Sequence, residues 1–316
     1  MSAPSPDLRA TPLADRPSQV PPRPPRRWWR DGAFLLGFML LLAWSYSGVQ
    51  VSVAELVRGA PDMMDTLGRM LPPDYTRVTD PAVYDKPPEL SVTELLLPVP
   101  LDVDKATTKA YWWTNTFPQT IVGGSLLTVQ MAFMGTMLGL IFAFPFAFLG
   151  ARNTSPHPAV YHVVKLAANF LRTIPDYSVG IILIAAIGLG PFAGTLALAF
   201  HTATVLTKLF AEAIEGIDEG VVEALKATGA RYVQVISFAV VPQVMPAFIS
   251  FLLYRFETNI RAAAVLGLIG AGGIGFLMVS DFRMFQYPQA SMTVLVLIIL
   301  VGLVDYLSAQ LRKMVT

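Results

Sequence analysis

Glu223-Ala224-Leu225-Lys226-Ala227-Thr228-Gly229, with Pro242 thirteen residues beyond the glycine, is the stretch that decides how this chain is read. It lies between two apolar segments, residues 195–214 and 243–266, each long enough to cross a bilayer. A polar run in that position faces water at one end of a membrane bundle. A short helix is expected between about 218 and 232, with Glu223 early in it, where negative charge suits the helix dipole. Gly229 can end that helix or allow a tight turn.

The composition agrees. Of 316 residues, 54% are hydrophobic and 14% charged, with a mean hydropathy of +0.54. Soluble domains are roughly a quarter charged. A chain this apolar needs lipid to cover its surface. The net charge of +1 gives no basic field to attract nucleic acid. There is no cysteine, which removes disulfides, thiolate metal sites and cysteine nucleophiles together. His157, His162 and His201 show no metal-ligand spacing, so no metal site is expected.

Working outward, residues 1–30 form a Pro- and Arg-rich tail expected to be disordered. It ends in Arg23, Arg26, Arg27 and Arg30, just ahead of an apolar run that makes 31–50 the first transmembrane helix. Those arginines place the tail in the cytoplasm by the positive-inside rule. Residues 51–118 read as an extracytoplasmic loop, rich in proline and more acidic than basic. Its start, 53–71, has apolar residues at helical spacing, either lying on the membrane surface or packed on other helices. Tyr111, Trp112 and Trp113 are expected to mark an interfacial belt. The remainder, 119–316, holds spans at 121–149, 160–189 (kinked at Pro175), 195–214, 243–266 and 292–307. Residues 267–287 lie outside or re-enter, and the 218–241 loop, with Lys226 and Arg231, lies inside. The expectation is about six spans with both termini cytoplasmic.

The opening stretch resembles the EAA loop of ABC-importer permeases, which runs Glu-Ala-Ala, three residues, Gly, nine residues, Ile-x-Leu-Pro. Glu223, Ala224, Gly229 and Pro242 fall in register, while Leu225, Ala239 and Val241 depart from it. A second stretch is Tyr254-Arg255-Phe256-Glu257-Thr258-Asn259-Ile260-Arg261, followed by Gly270-Ala271-Gly272-Gly273-Ile274-Gly275. Together with Arg172-Thr173-Ile174-Pro175, the glycine-rich turn at 188–194 and Ala211-Glu212-Ala213-Ile214-Glu215, it resembles permeases of phosphonate ABC importers over roughly residues 120–310.

That resemblance implies an all-α polytopic membrane protein of the type I ABC-importer class, in a bacterial cytoplasmic (inner) membrane. It implies a homodimer, two ATPase subunits docked on the 218–241 loops, and an extracytoplasmic substrate-binding protein. ATP and Mg would sit on the ATPase, and this chain would bind no cofactor and be no enzyme itself. The cargo would be a phosphonate or a related small phosphorus oxyanion, with phosphite and phosphate not separated from it. Glu223, Ala224, Gly229 and Pro242 would couple to the ATPase. Arg255, Glu257, Asn259, Arg261, Gly270, Gly272, Gly273 and Gly275 would line or gate the path.

The residues support parts of this directly. Charges inside a membrane are costly, so Arg255, Glu257 and Arg261 should face the bundle interior or a water-filled path. Glu257 and Arg261 have the spacing to pair along a helix. Two readings stand side by side: the arginines offset an anion in transit, or they form an internal ion pair. The run at 270–275 satisfies G-x-G-x-x-G but lacks the βαβ surroundings and the distant acid of a dinucleotide site, which leaves close helix contact or a gate. His162, Lys165, Asn169 and Arg172 share a helix face, as an interfacial elbow or an anion path, and Asp176 has the spacing to pair with Arg172. No P-loop occurs. The alternative is a secondary transporter driven by an ion gradient, which calls for matched, interrupted half-repeats bearing intramembrane acids.

Overall fold

A computed structural model describes residues 28–49 and 53–315. Most of the Pro- and Arg-rich tail therefore lies outside the described residues. The chain divides into two units at residues 62 and 63. The first carries α1 (Trp28–Val49), the helix expected over 31–50, and the start of α2 (Val53–Met70). α2 is amphipathic, as its apolar spacing predicts.

In the second unit, residues 72–119 fold into a small element with a core of its own. They carry α3 (Thr76–Thr79), α4 (Val92–Leu96) and α5 (Val103–Tyr111), joined by short tight turns. Leu90, Leu95 and Trp112 are buried together, with Tyr84, Leu101, Trp113 and Phe117 packed on them. The Trp112 indole donates to the Tyr84 carbonyl at 2.8 Å, and that of Trp113 to Leu95 at 3.0 Å. The tryptophans are thus the core of this element and not an interfacial belt; Tyr111 alone of the three stays exposed. An aromatic triplet carries the same sequence signal in both roles, since each needs an apolar ring with a satisfied N–H.

The bundle follows. α6 (Ile121–Leu149) starts where Thr120 caps the Gly123 amide at 3.0 Å, and it runs 29 residues without a charge. α7 (Pro158–Leu171) and α8 (Asp176–Ile187) meet at 84°. The single kinked span expected over 160–189 is therefore a bent pair. Pro175 does more than kink the helix: it ends one and starts the next, because it offers no amide to continue the ladder. With the helix interrupted there, Arg172 and Asp176 lose the i, i+4 geometry on which their expected pairing rested.

α9 (Pro191–Glu215) leads to α10 (Glu219–Ala227) and α11 (Tyr232–Val235), then through a wide turn at Ile236–Val240 into α12 (Val241–Leu266). A second wide turn, Gly267–Ala271, precedes α13 (Gly273–Arg283), and α14 (Tyr287–Val315) closes the described chain. Five described helices are long and apolar enough to cross a membrane, six if the bent pair counts as one span.

α6 and α9 form the most extensive helix pair. Small residues permit their approach: a Cβ on Gly139 would stand 2.6 Å from the Thr202 Cβ, and one on Gly135 2.7 Å from that of Leu198. Toward the α10 end, Phe210 of α9 stacks on Phe248 of α12 at 3.8 Å, in a core with Leu206, Ile214, Val240 and Val244. The wide turn after α11 is built into this core through Ala239 and Val240.

Candidate functional site

Two places in the bundle carry the residues singled out in the sequence. The first is the helix pair α10–α11. Asp218 caps α10 by accepting the Gly220 amide at 2.9 Å, and its own amide donates to the Gln243 side chain at 3.0 Å. None of the residues of α10 is buried. Glu223 and Ala224 stand exposed on it, and Gly229 follows with φ +80°. That is the left-handed region that favours glycine, and it turns the chain from α10 into α11. Pro242 lies apart from these three, in the first turn of α12, where a missing amide costs nothing.

The loop is fastened to the bundle through Tyr232 and residues 152–154, which the sequence reading did not single out, and through Lys165 and Glu215, which it did. The Tyr232 hydroxyl donates to the Thr154 carbonyl, and Thr154 Oγ1 donates to Phe148 at the end of α6 at 2.7 Å. Asn153 Nδ2 donates to the Ile214 carbonyl at 2.6 Å, and the Arg152 amide to Glu215 Oε1 at 3.1 Å. Lys165 of α7 reaches the same carboxylate at 3.3 Å. A cavity of about 270 Å³ separates α10 from this strap, lined by Asn153, Thr154, Glu223, Lys226 and Tyr232 among others. α10 is thus connected to α6 and α9 through α11 and residues 150–155.

The second place is the middle of α12. Arg255 and Arg261 are six residues apart, which puts them on different faces of a helix. Arg261 Nη2 meets Glu257 Oε1 at 2.6 Å, and its Nη1 meets Asp305 of α14 at 3.1 Å. Arg312 takes the other Glu257 oxygen at 3.0 Å. This set balances its own charge and joins α12 to α14, so for Arg261 the internal ion pair is the reading that holds.

Arg255 differs. It is 7% exposed and faces α6 and α9. Its Nη2 lies 3.2 Å from Thr202 Oγ1, 3.1 Å from Asn259 Oδ1 and 3.2 Å from His201 Nδ1. A guanidinium only donates, so in this contact the imidazole nitrogen can act only as an acceptor. Asn259, fully buried, donates to Thr136 of α6 and to Thr202, each at 2.8 Å. Arg255 Nε is buried without a partner. Among the described residues no carboxylate forms a salt bridge with Arg255; Asp176, at the α7–α8 bend, is the acid that acts on it from beyond contact.

The glycines play a backbone role. Gly270, Gly272 and Gly273 have φ of +101°, +84° and +72°, and the Gly190 amide donates to the Gly270 carbonyl at 3.1 Å. A Cβ on Gly275 would stand 1.9 Å from the Ala264 carbonyl oxygen. The run reverses the chain tightly between α12 and α13, which a side chain would block. Beside it Thr128 Oγ1 accepts the Ile274 amide at 2.9 Å. A buried tie also went unforeseen: Asp281 of α13, 5% exposed, holds Arg77 of α3 at 2.5 Å and Thr293 of α14 at 3.0 Å. Pairs so far apart in the chain leave no local signal. The hydroxyls at 128, 136 and 202 inside apolar runs were the available hint of a polar interior.

Comparison with known proteins places this architecture. The family described as binding-protein-dependent transport system inner membrane component matches residues 112–315. A phosphite transport system permease of Stutzerimonas stutzeri is 35% identical over 289 residues, 90% of each chain. A cryptic phosphonate transport system permease of Escherichia coli K12 is 49% identical over 118 residues, 37% of this chain and 97% of that protein. Among solved structures, a chain of a methionine ABC transporter in an inward-facing conformation superposes with a TM-score of 0.55 at 22% identity, covering 62% of this chain and 96% of that one. At that identity the likeness is one of fold.

Proposed function

This chain belongs to the family of binding-protein-dependent transport system inner membrane components, and we propose that it is the membrane subunit of an ATP-driven importer for phosphonate or a related phosphorus oxyanion. Its fold is that of a type I ABC-importer transmembrane domain, and it is a multi-pass inner-membrane transport subunit. The observation that carries the proposal is the contrast within the 218–241 loop. α10 offers Glu223 and Ala224 to water, while the turn after α11 is built into the core and Tyr232 is tied to Thr154, which in turn bonds the end of α6. A helix with one face open to water and the other, at Val222, packed on the bundle core is a lever for a partner.

In this reading two copies of the chain form the pore, and two ATPase subunits dock on the α10–α11 pairs from the cytoplasm, where both termini also lie. A binding protein delivers cargo from the other side, where residues 72–119 fold. ATP and Mg on the ATPase pair draw the two levers together and open the pore outward; hydrolysis resets it. Each step is a population shift driven by a ligand bound at a distance. Glu223, Ala224, Gly229 and Pro242 serve the coupling, and the 255–275 region serves the path and its closure.

Secondary transport is not favoured. Its coupling acids would have to be open to an ion, and the acid of α12, Glu257, has both oxygens taken by arginines. Co-purification tests the importer reading. The ATPase subunit encoded with this chain should follow the wild type and be lost from Gly229→Asp, while the variant still inserts and dimerises. An ATPase that associates with neither form would sink the proposal.

A further inference from the structure

Arg255 is the one intramembrane cation of α12 whose charge the protein does not neutralise by contact. The neighbouring set of Glu257, Arg261, Asp305 and Arg312 holds two acids against two arginines. Arg255 instead meets an imidazole, a hydroxyl and an amide, all neutral. A buried cation with no counter-charge in contact is destabilising, and a helix tie alone would be served as well by neutral groups. The donors are poised for more than they hold. Nη2 carries the hydrogen bonds that the side chain makes, and Nε is buried without any. A guanidinium fork with unused N–H groups matches two oxygens of one tetrahedral oxyanion.

We infer that Arg255, backed by Asn259, Thr202, Thr136 and His201, is the intramembrane contact for the phosphorus oxyanion, entered when α6, α9 and α12 part during transport. The inference rests on the importer reading above. Hydroxyls and the Asn259 amide fix the guanidinium without cancelling its charge. One guanidinium among neutral donors holds the anion by charge yet weakly enough to release it, as a path requires. Arg261, half exposed and paired with two carboxylates, has no such part.

Asn259→Asp separates an anion contact from a structural tie. The change is nearly isosteric, places a carboxylate where the amide oxygen now lies 3.1 Å from Nη2, and gives up the two bonds the amide donates to Thr136 and Thr202, so uptake is compared only in a complex that melts as the wild type does. If Arg255 only joins helices, an ion pair should hold them at least as well and uptake should persist. If Arg255 meets the anion, its charge is cancelled in place. The experiment measures uptake of radiolabelled phosphite and methylphosphonate by proteoliposomes holding the permease with its ATPase and binding protein, beside the melting temperature of each complex. The expected result is an intact complex with uptake reduced about tenfold or more, as befits loss of a charge-assisted contact. Uptake within about twofold of wild type overturns the inference. Should Asn259→Asp fail to assemble, Arg255→Lys and Arg255→Gln decide: lysine must retain more uptake than glutamine, and equal uptake overturns the inference. Wild type that moves neither of these anions nor phosphate overturns the cargo reading itself, a failure seen before any variant is compared.

Discussion

Arg261 and Glu257 stand one turn apart on α12 with Nη2 2.6 Å from Oε1, and the second oxygen of that carboxylate is taken by Arg312 at 3.0 Å. Glu257 is thus a shared acid between two helices. Its side chain is 12% exposed, whereas that of Arg261 is 46% exposed. Water reaches the arginine, which lowers the value of the contact well below that of a fully buried pair. Replacing Glu257 by Gln should cost about 2 kcal/mol and lower the melting temperature of the purified protein. An unchanged melt would mean that α12 and α14 are held by apolar contact alone.

Gly229 should be sensitive to shape without being crowded. Its φ is +80°, yet a Cβ there would meet nothing within 4 Å. Alanine therefore strains the backbone and clashes with nothing, at a cost of about 1–2 kcal/mol. Asparagine tolerates the left-handed region better. The retained fraction of ATPase on co-purification should fall in the order Gly, Asn, Ala. An alanine variant that binds as wild type would show that the turn is not held during docking.

The contrast between Gly275 and Gly302 tests the α12–α13 reversal. A Cβ on Gly275 would lie 1.9 Å from the Ala264 carbonyl oxygen, while one on Gly302 meets nothing within 4 Å. Gly275→Ala should cost more than about 3 kcal/mol, because backbone must move, and should abolish accumulation in the membrane. Gly302→Ala lies within a helix, where alanine is favoured by about 0.5–1 kcal/mol, and should accumulate normally. Equal accumulation of the two would disprove the tight reversal.

Helix content and the turn between α10 and α11 were legible because their signals are local. An uncharged run as long as that from Ile121 to Leu149 has one stable form in lipid, and Gly229 and Pro242 mark a turn and a helix start by their backbone chemistry alone. The separate fates of Arg255 and Arg261 were not legible, although their six-residue spacing already put them on different faces. What decided them was which distant helix each face met: α6 and α9 for one, α14 for the other. Pro175 read as a kink because sequence registers the break in the ladder and not the angle that packing then selects. The tryptophans at 112 and 113 misled because their partners, Tyr84 and Leu95, are carbonyls, and every residue carries one.

Acid should loosen the 72–119 element. Glu94 accepts the Ser91 hydroxyl at 2.7 Å and its amide at 2.8 Å, and Lys105 approaches at 3.3 Å. These contacts hold the carboxyl down at about 2, from an ordinary 4.5. A lowered value means that the folded form favours the ionised group. The stabilisation is therefore full above about 4.5 and is lost as pH falls toward about 2. Trp113, bonded to Leu95 beside this cap, reports the change by fluorescence. Glu94→Gln should remove this acid limb, and a limb that survives the substitution would assign it to another carboxylate.

Arg77 and Asp281 offer the sharpest test of how residues 72–119 are held to the bundle. The two meet at 2.5 Å with side chains 20% and 7% exposed, and Asp281 is steadied by Thr293. Desolvation offsets much of the attraction in such a pair, so its loss as a pair should be mild while the loss of either partner alone is severe. Arg77→Ala would leave a buried carboxylate with a hydroxyl for company, at a cost of about 3 kcal/mol. Asp281→Asn would leave a guanidinium that can turn toward water, at a smaller cost. In the double variant no buried charge is stranded, so it should be more stable than Arg77→Ala itself. Melting of the four proteins gives the coupling directly, and about 1–3 kcal/mol is expected for groups in contact. Strict additivity would mean that the contact does not form in the membrane. A coupling of the expected size would show that anything grasping residues 72–119 from outside pulls on α13, the helix that begins where the glycine turn ends.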